Sequence, residues 1–150
     1  MAYLAPNSQG ANYTHRIKWS PSTTQLIESG SIYDVLAKRP EYSRFISVVI
    51  QAGMSDLLAV KSEHSLYTVF AFSNENLLAN ANYDTHTSRK LLKNLILPFE
   101  LHSEEFEEHA HYVAFSGDRV AMKFNPLRYG DERLTAIDIV ATNGVIHAIV

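Results

Sequence analysis

The order of the periodic segments is the feature that most constrains the fold. Helical periodicity dominates the early part of the chain, while strand-like alternation dominates the end. The first helical segment begins with Ser31 and Asp34, whose spacing predicts a capping box, and Ile32, Val35 and Leu36 follow on one helical face. Helices and strands that are segregated in this way indicate an α+β fold rather than alternating βαβ units.

Two further helices are predicted from capping residues and apolar spacing. Pro40 opens the first and Gly53 ends it, with apolar residues at spacings of three and four: Tyr42, Phe45, Ile46, Val49 and Ile50. Thr85 or Thr87 caps the second. Its core-facing residues are Leu91, Leu92, Leu95 and Ile96. These apolar faces require burial against a sheet or another helix.

Strand patterns appear in the middle of the chain and again near its end. Residues 67–72 are β-branched and aromatic, which is typical of a strand. Residues 112–115 and 119–124 flank a Ser-Gly-Asp turn and predict a hairpin. A second pair, residues 134–141 and 145–150, flanks Thr-Asn-Gly. The last third of the chain therefore reads as two hairpins.

Composition excludes several classes of protein. The chain of 150 residues, 46% hydrophobic and 19% charged, is the size of one globular domain. Its net charge is −3 and its basic residues are scattered, so we expect no nucleic-acid partner. It contains no cysteine, which excludes disulfides and thiolate sites. No apolar run reaches the roughly 20 residues that span a bilayer.

The first 24 residues read as an irregular arm ahead of a domain over residues 25–150. The arm is polar and shows no periodicity, and its start lacks the charged head and apolar run of a secretory signal. It nevertheless carries large apolar residues: Tyr3, Leu4, Tyr13, Ile17 and Trp19. These side chains either lie on their own domain or dock into a partner protein, where aromatic anchors often dominate the binding energy.

Three segments carry a family resemblance. YTVFAFSNENL at residues 67–77 and ATNGVIHAIV at residues 141–150 resemble the two signature boxes of fasciclin-type domains, and residues 31–58 resemble that family's opening helices. The resemblance implies a wedge of about seven β-strands flanked by several α-helices, with the two boxes as neighbouring central strands. It also implies an adhesion or protein-interaction module, commonly secreted or at the cell surface.

The residues of the two boxes suggest a structural role. Apolar residues alternate with turn-forming and polar ones, as in buried strands joined by tight turns. The signature residues are Tyr67, Thr68, Val69, Phe70, Ala71, Asn74, Asn143, Gly144, Val145, Ile146 and His147. His147, in an apolar strand, is predicted to be hydrogen-bonded in the core. The competing interpretation is that the boxes form an exposed recognition surface.

Three features depart from the family pattern. Members that act in adhesion often carry a Tyr-His pair after the central helix, where this chain has Pro98 and Phe99. Phe72 stands in place of proline, and Val150 stands in place of aspartate. Because of the first departure, we do not expect receptor binding through the family's usual face.

Neither metal nor catalytic chemistry is expected. The segment around Phe106 carries imidazole and carboxylate groups, which can bind metal ions. These residues are His102, Glu104, Glu105, Glu107, Glu108, His109 and His111. Their spacing matches no known site, so the segment reads as a solvated acidic turn of helix. No nucleophile lies in a recognised motif with a base, and no glycine-rich phosphate loop is present, so no cofactor is predicted.

Two functions remain open from the sequence. The first is a non-catalytic protein-interaction or adhesion module with protein partners. The alternative is a structural subunit of a larger assembly built inside the cell, such as a minor capsid component of a virion. The first suggests an extracellular or cell-surface location, and the second a cytoplasmic or virion location.

Overall fold

A mixed β-sheet and four α-helices make up the computed structural model, which describes the backbone of residues 26–27 together with residues 30–60 and 66–150. The helices are α1 Ile32–Ala37, α2 Ser43–Gln51, α3 Ser55–Ala59 and α4 Thr85–Asn94. The strands are β1 Leu26–Ile27, β2 Tyr67–Phe72, β3 Ile96–Leu97, β4 His111–Val113, β5 Arg119–Lys123, β6 Arg128–Tyr129, β7 Glu132–Ala141 and β8 Gly144–Ile149.

The sheet is built around the pairing of β2 with β8. The strand order is β3-β2-β8-β7-β6-β5-β4, and β1 pairs with β7 off this path. Strands β2 and β8 run parallel in register from Tyr67 opposite Gly144 to Phe72 opposite Ile149. The two signature segments are therefore neighbouring central strands, as predicted, and the α+β class is confirmed. Counted over the described ranges, the sheet has eight strands, where about seven were expected.

Local capping chemistry sets the start of α1. The backbone N–H of Asp34 donates to Ser31 Oγ, and the Ser31 N–H donates to Asp34 Oδ2, both at 3.1 Å. This reciprocal pair is the predicted capping box, and it satisfies two N–H groups that the helix cannot pair internally. Position 31 is fully buried, so these groups would otherwise be shielded from water.

Helix α2 follows a 3₁₀ turn at Pro40–Tyr42 and ends before Gly53, which has a φ of 71°. Its buried residues are Phe45, Val48 and Val49. The predicted face was wrong at its end, because Ile50 is 56% exposed and Val48 is buried instead. The buried face of the helix therefore includes Val48 and excludes Ile50, unlike the face predicted from apolar residues at spacings of three and four.

The N-cap and the last residue of helix α4 both differ from the prediction. Asp84, not a threonine, is the N-cap, and its Oδ1 accepts the Thr87 N–H at 2.7 Å. The helix ends at Asn94, and Ile96 lies in strand β3 rather than on the helix. Ile96 is expected in the core whether apolar residues recur every three to four positions, as in a helix, or every second position, as in a strand. The apolar pattern therefore could not distinguish a helical from an extended backbone there.

Aromatic packing fills the space between sheet and helices. Phe70 of β2 stacks on Tyr129 of β6 with ring centroids 3.7 Å apart, and Phe72 meets Phe45 of α2 edge-on at 5.0 Å. Phe45, Phe70 and Phe72 are fully buried. Burying each such side chain stabilises the fold by about 1.5–3 kcal/mol, so β2 is the central element of the core.

Candidate functional site

At the turn between β7 and β8, the backbone of Gly144 packs directly against the backbone of Tyr67. Gly144 has a φ of 152°, and a Cβ at this position would lie 1.9 Å from the Tyr67 carbonyl oxygen. No side chain can be accommodated at such a distance. Glycine at this position therefore allows β8 to align beside β2 along its whole length.

Asn143 joins this turn to two helices. Its side-chain Oδ1 accepts the Ile32 N–H at the start of α1 at 2.8 Å, and its Nδ2 donates to the Leu58 carbonyl of α3 at 3.0 Å. Asn143 is fully buried, so these bonds form away from water. One amide thus satisfies two backbone groups that come from distant parts of the chain.

Asn74 performs a similar task at the other signature box. Its Oδ1 accepts the Arg44 N–H in the first turn of α2 at 3.0 Å. Its Nδ2 donates to the Pro40 carbonyl at 3.1 Å and to Ser43 Oγ at 3.0 Å. The side chain therefore caps α2 from outside that helix, which fixes the helix against the end of β2.

Most of the signature residues are buried. Tyr67 and Asn74 are half-buried, and the remaining nine are shielded from solvent: Thr68, Val69, Phe70, Ala71, Asn143, Gly144, Val145, Ile146 and His147. This burial favours the structural interpretation of the boxes. Their role stays a prediction until binding is measured.

His147 lies at the centre of a buried polar cluster. Its Nε2 bonds the Leu101 carbonyl at 2.8 Å, and its Nδ1 accepts the Asp138 N–H at 3.1 Å, which together define one neutral tautomer. Burial lowers the pKa of His147 to about 4, although the Leu101 carbonyl and the Asp138 charge oppose this. The imidazole is therefore neutral at physiological pH.

Ser103, Asp138 and His147 lie together but do not form a catalytic triad. The Ser103 hydroxyl and N–H both donate to the Asp138 carboxylate, the latter at 2.8 Å. The base of a triad must accept the nucleophile's proton, yet both ring nitrogens of His147 are occupied by backbone groups. The Ser103 hydroxyl is also already engaged, because it donates to the Asp138 carboxylate. The cluster has the geometry of a structural hydrogen-bond network.

The acidic segment forms only a short turn. Ser103–Glu105 is a 3₁₀ turn, shorter than the expected helical turn, and Phe106 is buried. His102 Nε2 lies 3.0 Å from a Glu100 carboxylate oxygen. Over residues 30–60 and 66–150, no group of three potential ligands is arranged to hold a metal ion.

A group of apolar side chains is exposed beside the open edge of the sheet. Val113, Phe115 and Phe99 are 49%, 40% and 38% exposed. Phe99 lies against Tyr112 with ring centroids 6.3 Å apart, and Phe115 lies against Tyr67 at the same distance. We call these five residues the edge surface.

The backbone holds the edge surface in place. Within the described residues, β4 lies at one end of the strand order and pairs only with β5. Just beyond β4, the Phe115 N–H donates to the Ile96 carbonyl at 2.7 Å, and the Ser116 N–H donates to the Lys93 carbonyl at 3.0 Å. The chain is therefore tied to β3 next to an open strand edge.

The sequence predicts that β4 and Phe115 belong to a hairpin, and it indicates no partner-binding site there. The alternation His-Tyr-Val was the available signal, since alternate residues of an edge strand face outward. The proposed docking residues Tyr3, Leu4, Tyr13, Ile17 and Trp19 lie outside the described residues.

A model of the fasciclin domain matches residues 40–150, well over half of the chain. The chain therefore belongs to the fasciclin family. Domains of this family mediate protein interactions and are generally non-catalytic. None of the helices in the described ranges is long and apolar enough to cross a membrane. The match begins at residue 40, so the boundary between arm and domain at residues 24 and 25 stays a prediction.

Proposed function

We propose that this protein is a non-catalytic interaction module of the adhesion type and that it contacts a protein partner through the edge surface. The observation that carries the proposal is the exposure of Val113 and Phe115, in and just after β4, and of Phe99 against Tyr112 of that strand, which pairs only with β5 among the described residues. Clustered exposed apolar side chains of this kind mark interaction sites more often than isolated ones.

An open strand edge offers two kinds of contact at once. Its unpaired backbone groups can add a strand from a partner, and side chains on either side supply specificity. Aromatic residues are the most frequent energetic anchors of such interfaces. The edge surface supplies aromatic side chains, with Phe99 and Phe115 on either side of β4 in the sequence, next to a strand that pairs only with β5 among the described residues.

The proposed function requires neither catalysis nor a cofactor. Ser103, Asp138 and His147 satisfy one another and the backbone, so their polar groups are used in the fold. The arm, with Tyr3 and Trp19, is a second proposed docking element. No observation on residues 30–60 or 66–150 favours the capsid-subunit alternative, and we do not propose it.

Site-specific photo-crosslinking tests the proposal. Benzoyl-phenylalanine placed at Phe115 is expected to capture a discrete partner from the native source, whereas the same group at Leu77 is not. Leu77 is a matched control because it is 84% exposed and follows the C-terminal end of β2, whereas Tyr67 of the edge surface lies at the N-terminal end. Equal capture at both positions, or capture only at Leu77, would contradict the assignment of the edge surface.

A further inference from the structure

A polar groove of about 230 Å³ lies between α2, α4 and the loop that joins β2 to α4. Helix α2 contributes Arg44, Ser47, Val48 and Gln51, which recur at helical spacing along one face. The loop supplies Asn82 and Tyr83, and α4 supplies Ser88. The groove is smaller than the roughly 300–1,000 Å³ of most drug-sized sites, so it suits one side chain rather than a whole cofactor.

The lining favours a negatively charged group. None of its nine residues is an aspartate or glutamate, and Arg44 is the one that carries a full charge. Helices α2 and α4 together contain Arg44, Arg89, Lys90 and Lys93 and no acidic residue, in a chain whose net charge is −3. These two helices therefore differ in charge from the protein as a whole.

The nearby carboxylates are already engaged by other groups. Asp84 caps α4 by accepting the Thr87 N–H at 2.7 Å. Burial, and after it the charge of Glu132, raises the pKa of the Tyr83 phenol, and Glu132 accepts from Asn76 Nδ2 at 3.0 Å. Neither of these two carboxylates is bonded to Arg44 among the described residues.

Arg44 is positioned for recognition. One guanidinium nitrogen, Nη1, donates to the Ala79 carbonyl at 3.3 Å, which tethers the side chain across the groove. The remaining N–H groups of a guanidinium form a fork that matches a carboxylate. A side chain held in this way loses less conformational freedom on binding.

Ser88 supplies an independent observation. It lines the groove and is fully buried, and its hydroxyl has no hydrogen-bond partner among the described residues. Buried hydroxyl groups are nearly always paired, and an unpaired one requires an explanation. A ligand oxygen that entered the floor of the groove would provide the missing partner.

We infer that the groove between α2 and α4 binds the carboxylate of an acidic side chain on a partner protein. The inference rests on the proposed interaction function and adds a second contact, with a stated chemistry, away from the edge surface. Arg44 binds the carboxylate, and the Ser88 hydroxyl donates to it from below.

Titration with capped hexaglutamate, followed by heteronuclear NMR, tests the inference. Saturable shifts are expected at Arg44, Asn82 and Ser88, and capped hexaglutamine is expected to produce none. Shifts spread evenly over the surface, or equal binding of both peptides, would overturn the proposal. If dilution of the free protein alone moves these signals, the occupant is a second copy and the partner is wrongly assigned.

Two matched variants separate the groove from general charge attraction. Arg44→Gln is expected to weaken hexaglutamate binding by about tenfold or more, because a charge-assisted fork is lost. Lys90→Gln removes the same charge from a residue that does not line the groove and should weaken binding less than about threefold. Equal losses in the two variants would mean a diffuse attraction and would overturn the site.

Ser88→Ala gives a readout that a purely structural role would not. Because the hydroxyl has no partner among the described residues of the free protein, its removal should leave the melting temperature unchanged or higher, yet weaken binding. Unchanged affinity in both Ser88→Ala and Arg44→Gln overturns the inference. The crosslinking at Phe115 is a separate experiment. A negative result for carboxylate binding in the groove can therefore be distinguished from a negative result for partner contact through the edge surface.

Discussion

Strands β8 and β4 belong to one sheet but use their residues in opposite ways. Strand β8 has neighbours on both sides, and all six of its residues are buried. In the part of the chain that the structure describes, strand β4 has one neighbour, and its residues His111 and Val113 are exposed. A strand that is paired on both sides is committed to the fold, whereas a strand with an open edge keeps backbone and side chains available for contacts.

The largest expected effect lies at the start of β8. Gly144→Ala should prevent folding, because its Cβ would overlap the Tyr67 carbonyl oxygen. Gly117→Ala is the matched control, since Gly117 also has a positive φ, of 93°, but no atom within 4 Å of a Cβ. The control should lose about 1 kcal/mol from backbone strain alone. Similar urea midpoints for the two variants would contradict this account of the turn.

Phenylalanine truncations compare the two regions directly. Phe70→Ala should lower the free energy of unfolding by about 4 kcal/mol, because a fully buried ring is lost. Phe115→Ala should cost less than about 1 kcal/mol, since the ring is partly exposed, and should instead weaken partner capture. Denaturant unfolding and crosslinking measure the two effects. A Phe70→Ala protein that unfolds like the parent but loses its partner would assign recognition to the signature strands.

His147 predicts a pH dependence of the core. Its pKa is about 4 in the folded protein and 6.5 in the unfolded chain, so the unfolded state binds the proton first as the pH falls. Stability is therefore complete above pH 6.5 and is lost towards pH 4, by about 3 kcal/mol. His147→Gln should flatten this part of the stability profile, and His86→Gln, at an exposed position, should not. An unchanged profile in His147→Gln would contradict the prediction.

The smallest expected effect on stability concerns the arm. If it docks in trans, deletion of residues 1–22 should change the melting temperature of the isolated domain very little and abolish partner capture. The fluorescence of Trp19 in the intact monomer gives a second measurement. A truncated domain that melts many degrees lower, with a buried indole in the parent, would place the arm on its own domain.

Much of the fold was predictable because it depends on contacts between near neighbours. The capping box of Ser31 and Asp34 and the glycines at positions 53 and 117 act within a few residues, so their patterns marked helix and turn correctly. The prediction failed where the same side chain can be buried in either of two backbone conformations. Ile96 is buried in either a helix or a strand, and the apolar pattern alone extended α4 too far.

The candidate sites were less predictable than the fold. The edge surface depends on which strand lies at the end of the sheet, and the groove depends on how α2 approaches α4. Phe115 and Ser88 therefore looked like ordinary strand and helix residues. Burial of His147 was expected from its apolar strand, but its bond to the Leu101 carbonyl joins residues 46 positions apart.

By itself, the sequence determined the α+β class and most of the element boundaries, since these follow from local propensity, capping and periodicity, and its signature segments indicated the family. Only the tertiary structure decided the joining of Asn143 to Ile32 and Leu58, across 111 and 85 positions of sequence. The same holds for the unpaired hydroxyl of Ser88 and the exposure of Phe115. The physical reason is that burial and hydrogen-bond satisfaction depend on which distant segments meet, and local patterns carry no information about that choice.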